Sequence, residues 1–260
     1  MLLAVDIGNT NIALGLYSGA ILGPRWRLAT GHEKTPDEYG TLMTALLRHS
    51  GFFDACVDAV AMASVVPPLT GVFADACRRY FGCEPLVVEG TGLTGVKVRY
   101  EDPSQVGADR IVDAAAAYRL YGGPACIIDF GTATTFNAVS AEGEYLGGAI
   151  VPGIGIASAA LFERASKLPK VDLLRPPSPI GRNIVHSLQS GLLFGYVGIV
   201  EGMVARFRAE LGPATKVIAT GGLAETVARE TRIIAILAPW LTLDGLRIIY
   251  DLNATQRVGD

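Results

Sequence analysis

Charge is scarce in this chain: Asp, Glu, Lys and Arg make up 18% of its 260 residues, and the formal net charge is −3. With half of the residues apolar, that balance excludes a disordered chain. Basic runs are missing as well, and because binding a phosphate backbone needs a concentrated basic face, no nucleic-acid role is expected. The cysteines Cys56, Cys77, Cys83 and Cys126 show no C-x-x-C spacing, and His32, His49 and His186 do not gather near them. Neither a zinc site nor a disulfide framework follows; buried free thiols do. No G-x-x-x-x-G-K-[ST] segment is present, which excludes a Walker-type loop. The N-terminus has no basic stretch before its apolar residues and meets Asp6 within one strand, so it does not read as a signal peptide. The apolar run 233–243 is broken by Pro239 and is too short to span a bilayer. A cytoplasmic protein that binds no nucleic acid and no membrane is expected.

What the chain does have is one pattern used twice. Leu3-Ala4-Val5-Asp6-Ile7-Gly8-Asn9-Thr10-Asn11-Ile12-Ala13 and Ile127-Ile128-Asp129-Phe130-Gly131-Thr132-Ala133-Thr134-Thr135-Phe136-Asn137 are each an apolar strand ending in Asp-x-Gly, then small hydroxyl or amide residues, then a second apolar strand. An Asp at the end of a buried strand presents a carboxylate to a metal ion, and Gly lets a turn offer backbone N–H groups to an anion. Thr and Asn side chains add hydrogen bonds to phosphate oxygens. One copy alone is as readily a plain β-hairpin with a glycine turn. Two copies with Asp in the same place point to a nucleotide site between two similar domains that face each other across a cleft. Such an arrangement resembles the superfamily of acetate and sugar kinases, heat-shock ATPases and actin.

The rest alternates strand and helix, so the fold class is α/β. Ser18-Gly19 turns into a strand at 21–29, completing a meander. Thr35-Pro36-Asp37-Glu38 has the form of a capping box and opens a helix that Gly51 ends. Residues 59–66 form a continuous apolar run stopped by Pro67-Pro68, which suits a strand buried on both faces; Ser64 near its end reads as a small residue before the turn. A helix over 70–80, a strand over 85–88 and a helix over 111–121 follow. After the second hairpin, a strand runs to 150 and Pro152-Gly153 opens a helix. A long helix after Gly191 is expected to bury Ile199, Val200, Met203, Val204, Phe207 and Leu211 on one stripe. The predicted division is 1–115 and 116–260, with one hairpin in each half.

Two further segments carry chemistry. Gly107-Ala108-Asp109-Arg110 sets a carboxylate beside a guanidinium at a helix start, where the dipole favours anions. A salt-bridged cap is the plain alternative; the functional one is a small acidic substrate whose carboxylate meets Arg110 and whose alcohol meets Asp109. Thr220-Gly221-Gly222 joins a strand to a helix, where the adenosine half of a nucleotide could lie against bare backbone.

Together with the run 181–191, these motifs closely resemble the type III pantothenate kinases over essentially the whole chain. The resemblance implies transfer of the γ-phosphoryl of ATP to the primary alcohol of pantothenate. It implies that Asp6, Ile7, Gly8, Asn9, Thr10, Asn11, Ile12 and Ala13 cradle the phosphates, with Mg²⁺ near Asp6 and a further ATP contact from Thr132. It implies that Asp129 holds a monovalent cation, K⁺ or NH₄⁺. Tyr100, Gly107, Ala108, Asp109, Arg110 and Ile184 would bind pantothenate, Asp109 accepting the proton, in a homodimer. The family usually has Thr where this chain has Ile184, so a hydroxyl worth about 1 kcal/mol is lost and weaker pantothenate binding is expected. Rival readings are a non-catalytic transcriptional accessory factor of the same family and a kinase of another small hydroxy acid.

Overall fold

The computed structural model describes residues 1–53, 56–90, 92–165 and 168–257. The chain gathers into two compact units, one formed by Met1–Tyr121 with the C-terminal stretch from Leu241, the other by Gly122–Trp240.

In the first unit β1 (Leu2–Ile7), β2 (Asn11–Ser18) and β3 (Ile21–Ala29) form the expected antiparallel meander. Next to β1, and parallel to it, lies β4 (Ala59–Ser64), with β5 (Leu86–Val87) beyond, so the order is β3-β2-β1-β4-β5. The central strands read as unbroken apolar runs because both of their faces are covered.

Helix α1 (Pro36–His49) begins in a true capping box: Glu38 N–H donates to Thr35 Oγ1 at 3.3 Å and Thr35 N–H to Glu38 Oε2 at 2.8 Å. Helix α2 (Pro67–Phe81) starts three residues earlier than the spacing predicts. Pro67 and Pro68 both stop the strand and fill the first helical turn, where no N–H is needed. The two helices pack through Tyr39 and Phe73, ring centroids 4.4 Å apart. After β6 (Lys97–Val98), α3 (Ala108–Tyr121) also starts three residues early.

The predicted division at residue 115 gave the whole C-terminal stretch to the second half. Instead, α7 (Leu241–Arg257) belongs with the first unit. The reason is close packing on α3: a Cβ on Gly245 would stand 2.3 Å from the Val112 carbonyl oxygen, and Thr242 Oγ1 donates to Asp113 at 2.7 Å. Tyr17 on β2 donates to Asp244 of the same helix at 2.7 Å.

The second unit repeats the plan. There β7 (Ala125–Phe130), β8 (Ala133–Val139) and β9 (Glu144–Pro152) form an antiparallel meander, with β10 (Lys216–Gly221) parallel to β7 and β11 (Ile236–Leu237) beyond it. The five strands of this unit run β11-β10-β7-β8-β9, the order of the first unit read from its other end; in the hydrogen-bonded sheet β6 follows β9. Asp6 and Asp129 are each the fifth residue of a six-residue strand with the same alternation of burial.

Helices α4 (Ile154–Arg164), α5 (Ile184–Leu211) and α6 (Ala224–Ala228) complete it. By length and composition alone α5 could cross a membrane, but Leu193, Tyr196, Val197, Val200 and Val204 are buried residues of this unit. Of the expected stripe, Val200 and Val204 are buried, Met203 and Phe207 pack against the core and Ile199 is exposed; the buried face continues toward the N-terminus through Tyr196 and Leu192 at helical spacing.

Candidate active site

In the first unit the turn after β1 is closed by Gly8, whose N–H donates to Asn11 O at 3.1 Å. A Cβ there would stand 2.9 Å from the same oxygen, so the turn requires glycine. Thr30 at the end of β3 braces it, donating from N to Thr10 O at 3.0 Å and from Oγ1 to Gly8 O at 2.7 Å. Asn9, Thr10 and Asn11 are left exposed at the tip, and Asp6 is half-buried beneath them. Its partners across the ladder are Ala13 on β2 and Ala63 on β4, small side chains that leave room around the carboxylate.

The same sheet edge receives the start of α3. Ile7 pairs with Ser64 and accepts from Val65 N–H at 3.0 Å, and a Cβ on Gly107 would touch Val65 Cγ1 at 3.5 Å. Asp6 and the 107–110 segment are thus brought together within one unit. Ser64 is a turn residue, as read: its Oγ accepts from Val66 N–H at 3.2 Å. Asp102 is a cap, accepting from Ser104 N–H at 3.0 Å, Ser104 Oγ at 2.6 Å and Gln105 Nε2 at 3.0 Å. Those donors hold its carboxyl below the ordinary range.

Asp109 folds back over the helix terminus, its Oδ1 accepting Arg110 N–H at 2.8 Å. A Cβ on Gly107 would lie 2.5 Å from that oxygen, so glycine is what lets the carboxyl occupy this place. Burial pushes the Asp109 carboxyl above the usual carboxylate value, against the opposite pull of the Arg110 backbone N–H and charge. Arg110 is 8% exposed, while Tyr100 stands out at 37%.

In the second unit Asp129 lies between Thr220 on β10 and Thr135 on β8. Gly221, at φ +90°, follows Thr220, and a Cβ there would be 2.3 Å from Asp129 Oδ1 and 2.6 Å from Phe130 N. The glycine after Thr220 therefore serves the carboxylate directly, a use that sequence reasoning did not find. It also missed Gly153, where a Cβ would be 2.2 Å from Thr132 O and 2.7 Å from Gly131 O: the hairpin turn rests on the start of α4. Tyr196 from α5 donates to Pro152 O at 2.7 Å and braces that contact.

Ile184, the first residue of α5, is 49% exposed. Ahead of it Asn183 caps the helix, Oδ1 accepting His186 N–H at 2.8 Å, with its Nδ2 lying 3.2 Å from His186 Nδ1. Gln189 and Ser190 hold the preceding loop through Asp172 O at 3.2 Å and Pro179 O at 2.5 Å. The run 181–191 is thus a loop anchor that presents residue 184.

Among the described residues no three of His, Cys, Asp and Glu gather to hold a metal ion. Each hairpin offers one carboxylate instead. The four cysteines are free thiols, Cys77 and Cys126 buried.

This architecture is shared with solved structures of low sequence identity. A solved structure described as a Baf family transcriptional activator from Campylobacter jejuni aligns over 97% of this chain and 99% of its own, at 18% identity and TM-score 0.64. Component A of (R)-2-hydroxyglutaryl-CoA dehydratase from Acidaminococcus fermentans aligns over 96% of both chains, at 14% identity and TM-score 0.51. At such identities the likeness concerns the fold alone. The family model for type III pantothenate kinase matches residues 2–206. Type III pantothenate kinases from Roseiflexus sp. (strain RS-1) and Geobacter sulfurreducens are 51% and 52% identical, each alignment covering 97% of this chain and 99% of the relative. The chain belongs to the type III pantothenate kinase family.

Proposed function

We propose that the protein transfers the γ-phosphoryl group of ATP to the primary alcohol of pantothenate, the first step of coenzyme A synthesis. The observation that carries the reading is the Asp109 carboxyl, held over the start of α3 by Gly107 and Arg110 and brought to the same sheet edge as the Asp6 hairpin. Phosphoryl transfer is mostly positioning and charge stabilisation, so one base, backbone donors and a few carboxylates suffice.

In this scheme the first hairpin, residues 6–13, binds the phosphates through its turn N–H groups and exposed Asn and Thr side chains. Arg110 takes the pantothenate carboxylate, Tyr100 and Ile184 line its chain, and Asp109 accepts the alcohol proton as the oxygen attacks phosphorus. A base with a raised pKa is better matched to an alcohol than an ordinary carboxylate. Thr132 contacts ATP from the second hairpin. Asp6 would hold Mg²⁺ and Asp129 a monovalent cation, K⁺ or NH₄⁺. Single carboxylates suit an ion that keeps several waters and takes its remaining ligands from substrate phosphates, and the hydroxyls of Thr135 and Thr220 add hard oxygen donors around Asp129. These ions supply charge neutralisation across the phosphates. The kinase works as a cytoplasmic homodimer and needs neither nucleic acid nor membrane.

The test is ADP release by purified protein with Mg²⁺, with and without pantothenate, in K⁺ and again in Na⁺. Turnover only with pantothenate, and faster in K⁺, is the expected result. Silence in all four from a folded protein would overturn the reading in favour of the non-catalytic accessory factor, and turnover with other hydroxy acids but not pantothenate would move the substrate.

A further inference from the structure

The second hairpin holds a buried polar chain leading to Thr135, whose inner members, Asn137 and Tyr145, the scheme above leaves unused. Tyr145 on β9 and Asn137 on β8 are both 0% exposed. Tyr145 Oη donates to Asn137 Oδ1 at 3.2 Å, and Asn137 Nδ2 donates to Thr135 Oγ1 at 3.0 Å. Placing a phenol and an amide in an apolar interior is costly unless they are hydrogen-bonded, and a sheet core gains nothing from them that apolar side chains would not supply.

The chain has a direction. The phenol gives its proton to the amide oxygen, which fixes the amide with its NH₂ toward Thr135. A threonine hydroxyl has one proton and two lone pairs. With a lone pair engaged by Asn137, the Thr135 O–H is turned away from that side. The two adjacent threonines divide accordingly: Thr134 is 1% exposed and faces inward, whereas Thr135 is half-buried near the turn. Directly across the ladder from Thr135 is Asp129, and such partners keep their Cβ atoms about 4.5–5.5 Å apart. A donor hydroxyl and a carboxylate therefore stand side by side at the end of β7. An anion alone would be repelled by the carboxylate, and a cation alone would have no use for the donor proton. A phosphate oxygen with its counter-cation satisfies both at once.

We propose that Thr135 contacts a nucleotide phosphate at the second hairpin, and that Asn137 and Tyr145 are positioning residues that keep its hydroxyl turned outward as a donor. This rests on the ATP reading given above. Calorimetric titration of Mg·ATP into the full-length protein in K⁺ buffer, alongside KM values for both substrates, tests it with the variants Thr135→Val, Thr135→Ser and Tyr145→Phe. Loss of one hydrogen bond predicts roughly three- to ten-fold weaker ATP binding for Thr135→Val and Tyr145→Phe. Thr135→Ser, which keeps the hydroxyl, stays near wild type. In all three the KM for pantothenate is unchanged, a split that general loosening of the fold would not produce. Wild-type ATP affinity in Thr135→Val, or equal loss in Thr135→Ser, overturns the contact while the kinase reading stands. Wild-type behaviour of Tyr145→Phe beside a weakened Thr135→Val overturns the positioning role. A wild-type protein that binds no ATP overturns this inference and the proposed function together.

Discussion

Asp109 is the residue on which the proposed chemistry turns, and its environment makes two opposed demands. Burial raises its carboxyl, so in the folded protein the charged form is the costly one. The stability that the neutral acid contributes is therefore fully present below its unfolded pKa of about 3.9 and is lost as pH rises through the higher folded value. Catalysis needs the opposite form, since only the carboxylate accepts a proton. Asp109→Asn is thus expected to lower kcat by about 10² to 10⁴ while melting no lower than wild type at neutral pH. Wild-type activity should also fall on acidification at a pH above the ordinary carboxylate range, and the variant's residual activity should lack that limb. A pH–rate profile and a thermal melt check both, and wild-type kcat in the variant removes Asp109 from the mechanism. That Asp6, Asp109 and Asp129 stand at strand and helix ends was legible in the sequence, because a carboxylate beside glycine there is a local pattern. The Tyr145–Asn137–Thr135 chain was not, because no spacing rule links a β9 tyrosine to a β8 amide before the register is known.

Among the elements, the hairpins and the helix caps were set by nearest neighbours and read correctly, including the Thr35 box and the glycine turn at Gly8. Starts of α2 and α3 were placed three residues late because apolar periodicity marks the packed part of a helix, while its first turn is made by prolines or by polar residues. The stripe of α5 was read nearly as it stands, Ile199 apart; its extension through Tyr196 and Leu192 was not, because with apolar residues nearly all round the sequence does not mark where the buried face ends. The strand-to-helix turn at Gly221 shows what long-range contact adds. A side chain there faces both a left-handed backbone and the Asp129 carboxylate at 2.3 Å. Gly221→Ala should therefore displace Asp129 and lower K⁺-stimulated activity by about ten-fold or more, the cost expected of misplacing a group near the reacting phosphates. Rates in K⁺ and Na⁺ read this out; unchanged K⁺ stimulation would detach Asp129 from the cation.

At the scale of the molecule, the duplicated hairpin foretold a duplicated sheet, and five strands of the one correspond in order to the five of the other. What the repeat could not reveal is that the chain returns: α7, last in sequence, packs on α3 through Gly245 and Thr242 and belongs to the first unit. No helix was expected over 241–257, so its packing partner was not legible either. The proposed base on α3 belongs to the unit that holds both ends of the chain, while the second hairpin and residue 184 belong to the other. The central claim is a transfer of phosphorus to one particular oxygen. It is tested most directly by ³¹P NMR of a reaction containing the protein, Mg·ATP, K⁺ and pantothenate. Appearance of a phosphomonoester on the primary alcohol of pantothenate, in step with loss of the γ-phosphate signal, is the predicted result; inorganic phosphate without that ester would contradict it.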